Sequence, residues 1–160
     1  MRVLTRGVLF FWAAWFSVVV LTNVLDAFVA LGALSPSLRF VSGNWPWINR
    51  VMDPLGVPRR LQGFLFLGAI SWEALAAWLY WRALARYDGR PLRQEREAFW
   101  ACVVSLALWG AFQMLDEVFL AYETESVHRS IFVSQIATIL LLHLLPAASR
   151  SDSPSQRSSL

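Results

Sequence analysis

The chain alternates between long apolar runs and short polar interruptions, and four of the runs have the length of a bilayer crossing. They extend from about Val8 to Leu31, Leu61 to Trp81, Ala98 to Leu120 and Val127 to Leu145. A hydrocarbon core about 30 Å thick is crossed by about 20 apolar residues of helix. The pattern predicts an all-α fold, a four-transmembrane-helix bundle built as one domain over residues 1–147. The connections are too short to fold as separate modules.

Few polar residues interrupt the runs, and they are spaced in a helical register. Gln113, Asp116 and Glu117 stand at i, i+3 and i+4 near the end of the third run, on one helix face. Asn23 and Asp26 stand at i and i+3 near the end of the first. Glu73 sits near the middle of the second, and Gln135 about two turns into the fourth. A carboxylate in hydrocarbon costs roughly 2.5–3.5 kcal/mol on insertion scales, so such groups face partners or water. With alternating span directions, all seven fall at related depths and form a candidate intramembrane polar cluster. For Asp26 the plain alternative is a helix-end group reaching interfacial water. For Glu73 it is a protonated carboxyl hydrogen-bonded between helices.

Between the first two runs, Ser35 to Arg60 carries Pro36, Pro46, Pro54 and Pro58, which exclude one continuous helix. Asn44-Trp45-Pro46-Trp47 reads as a Trp/Pro-rich interfacial element. A short amphipathic helix is expected over about Trp47 to Met52, as an interfacial anchor or a lid over the polar face. In the second run Gly63 and Gly68, with Ala69, Ala74, Ala76 and Ala77, are expected to allow close helix approach. Asp88-Gly89-Arg90-Pro91 reads as a turn.

The turn before the fourth run is acidic. Thr124 and Ser126 are candidate N-caps there. Glu125-x-x-His128 has the spacing that, given twice, builds di-iron sites in helix bundles. Here it occurs once, so Glu123, Glu125 and His128 form at most a weak divalent-metal set, the alternative being a capped helix end with a Glu–His or Glu–Arg contact. No other cofactor is called for. His143 reads as an interfacial or packing histidine, and Trp12 and Trp15 as packing or lipid-facing residues.

Composition sharpens the membrane reading. The hydrophobic share is 57%, with mean hydropathy +0.48, above the usual share for a soluble domain. All 14 basic residues are arginine, and the net charge is +3. The arginines flank the apolar runs and form no basic stripe, so the lipid bilayer and not nucleic acid is the expected partner. Counted by side, the N-terminus, the Arg82–Glu97 connection and the tail hold two, five and two arginines, against four and one in the other two connections. That predicts both termini in the cytoplasm, in a bacterial inner membrane. The first run lacks a convincing cleavage site and reads as an uncleaved span. The Ser-rich stretch 148–160 reads as a disordered tail. Cys102 has no intramolecular disulfide partner and reads as a buried thiol.

Asn23-x-x-Asp26, Val51-Met52-Asp53, Glu73 and Asp116-Glu117-x-Phe119 follow one another in an order that resembles a bacterial family of predicted small integral membrane proteins of similar length. The resemblance spans about Asn23 to Leu145 and implies four spans and no assigned activity. Where that family has a Trp-Asn-Gly element after the third span, this chain has Tyr122 and then Glu123 to Arg129.

Three function classes follow. The first expectation is a non-catalytic accessory subunit of a membrane complex, or a homo-oligomer, since no catalytic set stands out. The second is a small proton- or ion-coupled carrier using Glu73 and the Asp116/Glu117 pair. The third is a metal-binding membrane enzyme using Glu117, Glu123, Glu125 and His128.

Overall fold

The computed structural model describes residues 2–89 and 95–144. Within them the chain forms five α-helices: α1 (Arg2–Ala30), α2 (Asn44–Met52), α3 (Arg59–Arg86), α4 (Arg96–Val118) and α5 (Tyr122–Leu144). A 3-10 turn over Asp53–Leu55 joins α2 to α3, and no strand occurs among the described residues. Helices α1, α3 and α4 are long and apolar enough to cross a bilayer, which marks the chain as a helical membrane protein. Helix α5 has 23 residues but is not one of these three. Its first turns carry Glu123, Glu125, His128 and Arg129. Arg90, Pro91 and Arg93 of the basic connection and the tail 148–160 lie outside the described residues.

The helices overrun the apolar segments because the flanking arginines continue them. Arg2 and Arg6 begin α1, Arg59 and Arg60 begin α3, and Arg82 and Arg86 end α3. Arginine is a good helix former and carries its charge outward on a long stem. At the Arg86 end, Arg82 and Arg86 both donate to Glu97 of α4 at 2.8 Å, and Arg82 also lies over Trp78 at 5.1 Å.

The core pairs small residues with large rings. Ala76, Ala77 and Ala83 of α3 and Ala98 and Ala101 of α4 are buried and open space between those helices. Trp12 and Phe16 of α1 join them in one buried cluster, with Phe16 stacked on Tyr80 at 5.9 Å. Gly63 and Gly68 do not serve as contact points: a side chain built at either meets open space. The buried alanines Ala76, Ala77 and Ala83 further along α3 carry the close packing instead. Several tryptophan N–H groups bridge helices. Trp12 donates to Thr138 (3.1 Å), Trp72 to the Val104 carbonyl (3.0 Å) and Trp81 to Ser17 (2.9 Å). In a bilayer such donors have no water to turn to.

The α4–α5 turn is tighter than the sequence suggests. Leu120 adopts a left-handed conformation (φ 54°), and the Ala121 N–H returns to the Asp116 carbonyl at 2.7 Å. This lets α5 start at Tyr122. Thr124 and Ser126 therefore sit inside the helix and not at its N-cap. Thr124 instead donates to Asp116 Oδ1 and to the Ala121 carbonyl, at 3.1 and 3.0 Å.

Candidate functional site

Glu73 lies midway along α3 and is 3% exposed. Helix α1 brings Asn23 opposite it, and Asn23 Nδ2 donates to Glu73 Oε2 at 2.7 Å. Asn44, the first residue of α2, donates in turn to Asn23 Oδ1 at 2.7 Å. Among the described residues, the hydrogen bond from Asn23 is the one Glu73 receives. An amide chain thus runs from the rim of the fold down to a carboxyl group, and among the described residues no cation meets that carboxyl.

Asp26, one turn beyond Asn23, serves a different purpose. Its Oδ2 accepts the Trp45 N–H at 2.8 Å and the Ser42 hydroxyl at 3.0 Å. It satisfies a free N–H in the first turn of α2 and places a carboxylate at that helix's positive end. The other end of α2 is held by Asp53. Asp53 accepts from Arg59 at 2.7 Å and from the fully buried Gln62 at 2.8 Å. Helix α2 is therefore clamped to α1 at its start and to α3 at its end.

Across from Glu73, Asp116 of α4 is 2% exposed. Its Oδ2 lies 2.6 Å from His128 Nδ1 of α5, and its Oδ1 accepts from Thr124. The His128 ring rests against Trp109 and Phe112, with centroids 5.8 and 5.1 Å away. The tight turn at Leu120 makes this pairing possible, because it folds the first turns of α5 back along α4.

Between these groups is a cavity of about 210 Å³. Asn23, Asn44, Glu73, Asp116 and His128 supply its polar wall. Trp47, Ile48, Val51 and Met52 of α2 cover one side, and Trp15, Phe66, Trp109, Phe112 and Phe119 supply aromatic walls. No arginine lines it among the described residues. The indole Nε1 of Trp109 is buried with no acceptor among the described residues.

The seven expected cluster residues thus separate. Asn23, Glu73 and Asp116 line one cavity, and Asp26 holds α2 at its rim. Gln113 donates to the Trp109 carbonyl of its own helix (3.3 Å), and Glu117 is exposed. Gln135 is buried elsewhere, accepting from Ser105 at 2.5 Å and Tyr80 at 3.3 Å. Tyr80 follows Glu73 by two turns of α3, about 10 Å along the helix. The weak metal set is dispersed as well. Glu125 pairs with Arg129, Glu123 lies 3.6 Å from Arg50, and His128 faces Asp116. No three His, Cys, Asp or Glu side chains converge among the described residues.

Four partners were not foreseen. Asn44 belonged to a recognised interfacial motif, but its reach to Asn23 depends on where α2 sits. The Asp116–His128 pair crosses a turn with no glycine to announce it. Ser105 and Tyr80 looked like ordinary span residues. Compared with protein-family models, curated proteins and solved structures, the chain matches none.

Proposed function

We propose that this chain is a four-span protein of a bacterial inner membrane, with both termini cytoplasmic, that binds a small ligand in the cavity beneath α2. The single observation that carries the reading is Glu73: a carboxyl group 3% exposed, lining a cavity, with an amide as its hydrogen-bond donor. A buried carboxylate without a cation is costly, and an apolar residue would serve a purely structural core better. Helix α5 supplies the fourth span, and the arginine distribution supports the orientation. A carrier coupled to protons or ions is the transport form of this proposal, with Glu73 exchanging its partner as substrate enters.

A second reading, an accessory subunit of a larger complex, is favoured by the outward aromatic surface. Phe10, Phe11, Trp78, Phe99 and Trp100 are all exposed. Either lipid or a neighbouring subunit covers them.

The test is native mass spectrometry of the protein after gentle extraction from its host. A small molecule retained by the wild type and lost from Ala69→Phe, which fills the cavity wall, is the expected result. A particle with defined other chains and no retained small molecule would replace this proposal with the accessory reading.

A further inference from the structure

We infer that the ligand held beneath α2 is a small organic cation, an amine or a quaternary ammonium with a compact apolar body. This rests on the ligand-binding reading above and adds the chemical class.

The charges in the cavity wall are unequal in their provision. Asp116 faces the imidazole of His128 at 2.6 Å and the Thr124 hydroxyl at 3.1 Å. Among the described residues, Glu73 has the Asn23 amide as its one hydrogen-bond partner, at 2.7 Å. One carboxyl group is thus matched by a group able to carry positive charge and the other is not. A ligand that brings the missing charge gains a charge-assisted hydrogen bond in a water-poor site. An anion would meet two carboxyl groups there and no arginine.

The walls favour the same class. Trp15, Trp47, Phe66, Trp109, Phe112 and Phe119 line the cavity. Aromatic faces attract cations, and aromatic cages with a nearby carboxylate suit ammonium groups. A bare hard metal ion favours several charged oxygen ligands, and no three His, Cys, Asp or Glu side chains converge among the described residues. Size sets the upper limit. A cavity of about 150 Å³ takes one benzene ring. The 210 Å³ here then suits roughly eight non-hydrogen atoms by the same measure.

The probes are benzylamine, which is cationic at neutral pH, benzyl alcohol, its neutral counterpart, and benzoate, its anionic one. Each is titrated into the purified full chain in detergent, read by tryptophan fluorescence and by thermal unfolding. Benzylamine is expected to bind and to raise the unfolding temperature, with benzyl alcohol and benzoate weaker by roughly tenfold or more, the scale of a hydrogen bond to a charged group. Glu73→Gln is expected to remove the preference for benzylamine, and Ala69→Phe to abolish binding of all three. Because Ala69→Phe leaves every charge in place, it keeps the test decisive if Glu73→Gln fails to fold. Equal binding of benzylamine and benzyl alcohol, or tighter binding of benzoate, overturns the cation inference while leaving a ligand site. Binding of none of the three overturns the ligand-binding reading itself.

Discussion

Asn23 occupies the position through which the rim of the fold speaks to Glu73. It is 1% exposed, donates to Glu73 and accepts from Asn44. Replacing it with leucine keeps the volume and strands a partner on each side. Stranding a buried polar group costs about 1–3 kcal/mol, so Asn23→Leu is expected to lower stability by that amount in reversible unfolding in detergent. Asn44→Ala, at the exposed rim, should cost clearly less. Leu120 makes the opposite case. It holds φ 54° while 61% exposed, so its side chain returns little for the strain. A left-handed conformation costs a non-glycine residue roughly 1–2 kcal/mol, and glycine gives part of that back as unfolded-state entropy. Leu120→Gly should therefore stabilise the protein by about 0.5–1 kcal/mol in the same measurement. Sequence identified Glu73 and Asp116 as positions needing partners, because a carboxyl group amid apolar residues is conspicuous. It set Asn23 in one cluster with Glu73 by depth alone, and it did not identify Thr124 and His128 as the partners of Asp116, because that pairing depends on the tight turn at Leu120.

At the scale of elements, α2 behaves as a fixed roof. Asp26 holds its start and Asp53, through Gln62 and Arg59, holds its end. Breaking one clamp should free the roof without unfolding the long helices. Asp26→Ala is expected to increase tryptic cleavage at Arg39 and Arg50 several-fold in membranes, whereas Glu73→Gln should leave cleavage there unchanged. Equal cleavage in Asp26→Ala and the wild type would show that the anchorage lies elsewhere. The existence of α2 was legible from its prolines and tryptophans, and its place over the polar face was one of two readings beside an interfacial anchor. The rotation of each long helix was also hidden. Apolar residues surround α3 and α5 on all sides, so periodicity says little about which face turns inward. For that reason Gly63 and Gly68 meet open space while Ala76 and Ala77, expected beside them at the contact, are buried, and Gln135 turned to Ser105 and Tyr80.

The whole molecule joins a membrane architecture to one polar cavity at the end covered by α2. Spans were legible because hydrocarbon thickness sets a length that few soluble segments share. Four spans require the N- and C-termini on one side of the bilayer. Reporter fusions at both ends are expected to signal from the same side, and opposite signals would leave α5 outside the membrane core. The central claim is that Glu73 borders a cavity that lies beneath α2. It is tested most directly by placing a thiol in that wall one turn away, at Ala69→Cys. The chain's own Cys102 is buried at 3% exposure and contributes little background. Labelling with a small membrane-impermeant thiol reagent is compared in vesicles of both orientations, with Ser37→Cys in the α1–α2 connection as the reference for side. The account predicts that Ala69→Cys reacts only from the face on which Ser37→Cys reacts, and more slowly when benzylamine is present. No reaction, or reaction from the opposite face, would contradict it.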